Sequence, residues 1–169
     1  MGIPLSSDTS MQAPQPLAQL HDLSAFDCGE PILNDWLKRR AFANQVTGAS
    51  RTFVLVGDRN QVLGYYALAA GAIAHADAVG SVRRNMPDPI PVMVLGRLAI
   101  DLSCQGQKLG TALLKDAFLR TTSVSENVGI RALLVHALNE KAKQFYLERG
   151  FQPSHANPYT LMIKLPNMA

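Results

Sequence analysis

Apolar residues recur along this chain with two periods, and the alternation between them orders the elements. Leu33, Trp36 and Leu37 stand at helical spacing beside polar neighbours, behind Pro31, a residue favoured at the first helical position. The spacing predicts a helix over 31–46, opened by a capping box in Asp27-Cys28-Gly29-Glu30 and closed by Gly48. Arg51 to Val56 and Val62 to Ala70 are β-rich runs separated by Gly57-Asp58-Arg59-Asn60-Gln61, which predicts an antiparallel hairpin. Residues 77–91 hold Gly80, Arg83, Arg84, Pro87, Pro89 and Pro91, a composition that predicts an irregular connection with at most one helical turn. A buried strand follows from Val92 to Ile100.

Beyond a turn after Asp101, the residues Gly110, Leu113, Leu114, Ala117, Phe118 and Thr121 return to the helical period, predicting a helix from Leu109 to Glu126. Arg131 to Leu138 is apolar without alternation, as in a strand covered on both faces. Asn139 can cap a helix that carries Ala142, Phe145 and Tyr146 on one face and stops at Gly150. Gly150 to Gln152 and Thr160 to Leu165 read as closing strands. Residues 1–17, with Pro4, Pro14 and Pro16 and no periodicity, read as a flexible arm before a domain over 18–169. Together these elements predict an α/β sandwich around one mixed sheet flanked by helices, in one compact domain.

Composition narrows the functional classes. Hydrophobic residues make up 47% and charged residues 17%, which provides a core, while a net charge of +3 suits an anionic ligand without requiring one. Cys28 and Cys104 are too few for a disulfide framework and lie in no metal-ligand spacing, so a reducing cytoplasm is expected and no metal. No run approaches the ~20 apolar residues that cross a bilayer, and no secretory leader is evident. Met1-Gly2 with Ser6 fits the myristoylation pattern only superficially.

The stretch richest in chemistry is the strand Val92 to Asp101, then Gln105-Gly106-Gln107-Lys108-Leu109-Gly110-Thr111, then a helix. Glycines allow a tight turn close to a ligand, and free amides at a helix start present positive partial charge to an anion. Such a turn can hold a pyrophosphate, although many ordinary strand-to-helix turns also contain two glycines. It is not a Walker loop, which requires Gly-Lys-Ser/Thr.

With Gln105 and Gly110 at its ends, the turn resembles the pyrophosphate motif Q/R-x-x-G-x-G/A of the GCN5-related N-acetyltransferases. Lys108 stands at the fourth position, where the pattern has glycine; Gly106 supplies a glycine within the turn, and the added cation favours a phosphate. Ala142 to Phe151 resembles the same family's A-x-x-F-Y-x-x-x-G-F helix end. The resemblance implies a single domain with a mostly antiparallel central sheet that binds acetyl-CoA. It assigns the pantetheine arm to the backbone of Leu98, Ala99 and Ile100, the pyrophosphate to Gln105 through Thr111, and the general acid to Tyr146 beside the cofactor sulfur. A phenol with pKa near ~10 can protonate, or hydrogen-bond to, the departing thiolate. By spacing alone Tyr146 reads rather as a core aromatic like Phe145, and it is the family pattern that reverses this. Asn139 either contacts the cofactor or merely caps its helix, and His136 reads as a satisfied core residue rather than a base. Cys104 is not needed as a nucleophile in direct transfer.

A narrower resemblance spans about residues 20–165. Phe26-Asp27-Cys28-Gly29, Leu33-Asn34-Asp35-Trp36-Leu37, Arg84 to Pro91, Leu95 to Asp101, Gly129-Ile130-Arg131 and Asn157 to Met162 are similar to the acetyltransferase toxins of bacterial toxin–antitoxin pairs. This implies transfer of acetyl to the α-amine of aminoacyl-tRNA, a block on translation, a homodimer, and a ribbon-helix-helix antitoxin through which alone the complex meets DNA and represses its own operon. The α-amine has a pKa no higher than ~7.7–8.0, so much of it is already neutral and a strong base is dispensable. Arg83, Arg84, Lys38, Arg39, Arg40 and Arg97 are the candidate RNA contacts, though adjacent helix cations are commonly a solvated face. The alternatives are an acetyltransferase for a small amine or a protein N-terminus, or a non-catalytic module of the same fold that binds protein or DNA.

Overall fold

The computed structural model describes residues 12–168. In chain order the elements are β1 (Gln15–Pro16), β2 (Arg51–Val56), β3 (Val62–Ile73), β4 (Ile90–Ile100), β5 (Ala132–His136), β6 (Gln152–Pro153) and β7 (Thr160–Lys164), interleaved with four helices. Helix α1 precedes β2 and runs as Pro31–Trp36, a π-helical turn at Leu37–Ala41, and Phe42–Thr47. The one-turn α2 is Gly80–Arg83, α3 is Leu109–Ser125, and α4 is Glu140–Leu147. The strands form a seven-stranded sheet in the order β1-β2-β3-β4-β5-β7-β6. Pairing is parallel between β4 and β5 and antiparallel for β1–β2, β2–β3, β5–β7 and β6–β7, as a mixed, mostly antiparallel α/β sheet requires.

The described residues gather into two compact units. The first holds residues up to Leu68 with Arg97–Ala117; the second holds Ala69–Gly96 and the chain from Phe118 onward. The reason lies in strand length. At about 3.3 Å per residue, the 12 residues of β3 outrun any single core cluster, so the strand contributes to one cluster at each end.

In the first unit, Phe26, Leu37, Ala41, Val54, Val62, Tyr65 and Ala99 form a core against which Leu33 and Trp36 pack. The π turn brings Leu37 and Ala41, four positions apart, both into that core. Gly48 ends α1 in the left-handed region, as expected, its N–H returning to the Asn44 carbonyl at 2.9 Å. The expected hairpin is present, pairing Arg51↔Leu68 through Val56↔Val62 with a bulge at Leu55/Val56. The flexible arm to residue 17 is corrected at its end. Gln15 and Pro16 pair with Val54 and Phe53, and Leu17 is buried, because the edge of β2 offers backbone groups that the arm satisfies. The myristoylation pattern and the rest of the arm to residue 11 lie outside the described residues.

A second correction concerns the start of α1. Asp27 to Glu30 is no capping box: the N-cap is Glu30, which makes no side-chain cap bond. The Asp27 carboxylate instead accepts from the Gly29 N–H and the Asn34 side chain, both at 2.9 Å, and Asn34 Oδ1 accepts the Cys28 N–H at 2.9 Å. A carboxylate two residues from an amide closes an Asx turn more readily than it reaches the helix, particularly with Gly29 free to take φ +91°.

In the second unit, Ile73, Val79, Val82, Ile90, Val92, Ala132, Leu134 and Met162 form the core. β5 is buried at Ala132 to Val135, as its unbroken apolar run predicts, and exposed at His136. The β4–β5 ladder runs from Val92↔Ala132 to Leu95↔Val135. Residues 77–91 are irregular around the single turn of α2, as expected, and β4 begins at Ile90, two residues earlier than predicted, with Pro91 inside it. Among the described residues no helix is long and apolar enough to cross a membrane.

Candidate functional site

The turn between β4 and α3 is built on two left-handed residues. Gly106 has φ +84° and Lys108 has φ +62°. Positive φ suits glycine and strains a side chain that carries Cβ. Lys108 therefore occupies a glycine conformation at the position where the acetyltransferase motif has glycine. The substitution changes the residue and leaves the backbone path available. Gln105 through Lys108 are exposed, and the first N–H groups of the 17-residue helix α3 follow directly. Such an N-terminus presents amides and positive partial charge to an anion, which Lys108 supplements.

Gln105 serves the turn in another way. Its side-chain NH2 donates to the Ile100 and Cys28 carbonyls, each at 3.0 Å, and so ties the turn to the end of β4 and to the loop before α1. The side-chain nitrogen is thus committed to holding the turn, leaving ligand contact to the backbone. Asp101 completes the bracket. Oδ1 accepts the Asp27 N–H at 2.8 Å, and Oδ2 accepts the Ser103 N–H at 3.0 Å and its hydroxyl at 2.6 Å. Burial alone pushes the Asp101 carboxyl up, but these donors outweigh it and hold the carboxyl below its ordinary range. The Leu102 N–H returns to the Asp27 carbonyl at 2.8 Å. Asp27, Asn34 and Asp101, from segments far apart in sequence, are thus joined in one network behind the turn.

On β4 of this unit, Ala99 is buried while Leu98 and Ile100 are half-buried. Arg97 lies with its guanidinium 4.3 Å over the Trp36 ring, which itself stacks on Tyr65 at 6.0 Å. Arg97 is half-buried, and burial lowers its pKa against a smaller opposing effect of Tyr65. It is a stacked cation rather than a freely solvated one. Lys38, Arg39 and Arg40 are exposed on the π turn of α1.

The second unit holds Tyr146, Asn139, His136, Arg83 and Arg84. Asn139 Oδ1 accepts the Ala142 N–H at 2.9 Å and caps α4, leaving only its NH2 to meet a ligand. Further along α4, Tyr146 is 5% exposed, with ring contacts to Phe145 at 5.1 Å and Phe151 at 5.3 Å. Helix α4 closes behind it in a Schellman motif. The Phe151 N–H donates to the Tyr146 carbonyl and the Gly150 N–H to the Leu147 carbonyl, both at 3.1 Å, with Gly150 at φ +94°. That closure fixes where the phenol stands. Burial drives its pKa well above the ordinary tyrosine range, so the hydroxyl keeps its proton at any physiological pH. No described residue hydrogen-bonds that hydroxyl.

His136 corrects its expected role as a core residue: it is exposed at the end of β5, with Nδ1 at 3.0 Å from the Thr160 hydroxyl. The apolar run ended one residue before it. Arg83 and Arg84 are exposed as a nucleic-acid contact requires. The residue that shapes their loop is Arg131, whose Nε donates to the Val82 carbonyl at 3.0 Å and whose Nη2 donates to those of Ser81 at 3.0 Å and Arg84 at 3.3 Å. The sequence marks Arg131 only within the Gly129-Ile130-Arg131 match and not its role in the loop, because its partners lie 47 to 50 positions away.

A strand feeding an amide-presenting turn, followed by a capped helix that carries a buried tyrosine, is the arrangement of an acyl-CoA-dependent transferase. The model of the acetyltransferase (GNAT) domain matches residues 49–153, and the chain belongs to that family. It is 49% identical over 151 residues to the tRNA-acetylating toxin of Mycobacterium tuberculosis (strain ATCC 25618 / H37Rv), covering 89% of this chain and 90% of the relative. Among solved structures it resembles AtaT complexed with acetyl-methionyl-tRNAfMet, with a TM-score of 0.84 and 36% identity over 90% of this chain and 94% of that one. It also resembles AtaTR bound with AcCoA, with a TM-score of 0.82 and 36% identity over 93% of this chain and 95% of that one.

Proposed function

We propose that this chain is a toxin N-acetyltransferase that moves acetyl from acetyl-CoA to the α-amine of an aminoacyl-tRNA and so blocks translation. The observation that carries the reading is the likeness over nine-tenths of the chain to a tRNA-acetylating toxin, in a protein that keeps the left-handed turn through Lys108 and the buried Tyr146. The proposal extends to action in the cytoplasm as a homodimer that is neutralised by a ribbon-helix-helix antitoxin, meets DNA only through that complex and there represses its own operon.

The residues present fit the cofactor. The turn is exposed, presents backbone amides at the head of α3, carries a cation, and has no side chain at Gly106, where a Cβ would meet nothing within 4 Å. When bound, acetyl-CoA supplies an activated thioester. Leu98, Ala99 and Ile100 offer backbone groups to the pantetheine arm, and the amides of Gly106 to Thr111 take the pyrophosphate. The neutral α-amine attacks the acetyl carbon, the C–S bond breaks, and Tyr146 Oη–H donates to the departing sulfur. The ammonium proton passes to water, from which the phenol is restored. No carboxylate base is required, since an amine of pKa ~7.7–8.0 is substantially neutral at about pH 7.5.

The test is label transfer from radiolabelled acetyl-CoA to a pool of charged tRNAs, beside a Tyr146→Phe variant, with the product identified by mass. Label on aminoacyl-tRNA that falls about 10²-fold or more in the variant is expected for a lost general acid. Label on free amines or peptides instead would overturn the acceptor assignment, and an undiminished variant would overturn the role of Tyr146.

A further inference from the structure

A cavity of about 370 Å³ opens in the second unit, lined by Arg84, Asn85, Ser81, Arg131, Lys164 and Asn167 together with Met86. Three of these side chains are cationic, and they come from three separate places: the loop after α2, the residue before β5, and the end of β7. No carboxylate lines it. Like charges gathered without a counterion repel one another, which costs stability unless an anion visits. Arg131 is held in place by its three carbonyl contacts at the end of α2, which commit Nε and Nη2, while its Nη1 has no partner among the described residues. Lys164 Nζ donates only to Asn167 Oδ1, at 3.0 Å, leaving two of its three donors for a ligand. Asn85 holds the cavity wall at φ +61°, a left-handed conformation outside any helix or strand, and turns the chain directly after Arg84.

We propose that this cavity binds a phosphodiester group of the RNA substrate, with Arg84, Arg131 and Lys164 as its ligands. The choice of RNA rests on the function proposed above; the site itself rests on the cation cluster. A polyanion suits it better than a single small anion, because Arg83, exposed at the end of α2 directly before Arg84, adds a further cation outside the cavity. The guanidinium of Arg131 is rigidly set, whereas Arg84 and Lys164 are free to close on a phosphate oxygen. Arg131 thereby acts twice, shaping the loop and presenting its remaining nitrogen.

Fluorescence anisotropy with unacylated bulk tRNA over a series of KCl concentrations tests this. Lys164→Gln is expected to weaken binding about fivefold at low salt and to flatten the slope of log Kd against log salt by about 0.9, one phosphate contact. Lys164→Arg is expected to restore both. Because Lys164 makes one hydrogen bond near the C-terminus, folding is checked by an unchanged melting temperature. Wild-type affinity and slope in Lys164→Gln, with the wild type binding tRNA and labelling aminoacyl-tRNA, would overturn the cavity and leave the substrate assignment standing. A wild type with no salt-dependent tRNA binding overturns both. If the variant loses affinity for polyglutamate but not for tRNA, the cavity serves an acidic protein surface and the proposal fails.

Discussion

Lys108 is the position at which strain and charge act in opposite directions, and two substitutions separate them. A residue with Cβ held at φ +62° costs about 1–2 kcal/mol relative to glycine. Glycine returns about 0.4–1 kcal/mol of that through the greater freedom of the unfolded chain. Lys108→Gly should therefore gain roughly 0.5–1 kcal/mol, or about 1–4 °C in Tm for a chain of this size. Lys108→Ala keeps the strain and should leave Tm nearly unchanged. Both variants lose the cation. A unit charge about 4 Å from a phosphate is worth ~1 kcal/mol in water, so each should bind acetyl-CoA about fivefold more weakly, with the loss shrinking as salt rises. Thermal melting and calorimetric titration of acetyl-CoA at two ionic strengths measure both quantities. If glycine is no more stable than alanine at this position, the left-handed strain is not borne by Lys108. If affinity is unchanged in both variants, the cation does not face the phosphates, and the backbone alone makes the site.

Three further outcomes follow from buried groups. Burial raises the pKa of both Tyr65 and Tyr146 above the unfolded value near ~10, so their contribution to stability is complete below about pH 10 and is lost as pH climbs toward the folded values. Above about pH 10 denaturant unfolding should show stability falling by up to about 1.4 kcal/mol per pH unit for each buried tyrosine, and Tyr146→Phe should remove its share of that slope; an unaltered slope would contradict the burial argument. Thr52 is fully buried, and its hydroxyl has no partner among the described residues, so the isosteric Thr52→Val should stabilise by about 1 kcal/mol in the same assay. Asp101→Asn replaces one acceptor with an NH2 set against N–H donors and should cost about 1.5–3 kcal/mol while weakening acetyl-CoA binding; the wild-type contribution, present above the ordinary carboxylate pKa, should vanish as acid protonates Asp101.

What the sequence disclosed and what it withheld divide along one physical line. Periodicity and turn chemistry act between neighbours, and those readings stand: the hairpin of β2 and β3, the helix that starts at Leu109, the Asn139 cap and the Gly150 closure all lie where local rules put them. The errors and omissions come where a local preference competes with a distant partner. Asp27 satisfies the local pattern of a capping box, yet its carboxylate serves Gly29 and Asn34, and its amide reaches Asp101, 74 residues away. Gln105 matches a ligand motif, but its side chain spans to Cys28 and Ile100. Arg131 sits beside an apolar strand run and turns out to hold the Arg84 loop by three carbonyls. In each case the geometry is fixed by polar side chains bonded to remote backbone. Lys108 makes the same point in reverse. As a letter it departs from the motif, and as a backbone angle it conforms, because a turn is specified by φ and glycine is only the least costly way to reach it. A substitution in such a turn is therefore judged by whether the conformation survives, and here the bracket of Gln105 and Asp101 at its entrance gives that conformation support from outside the motif.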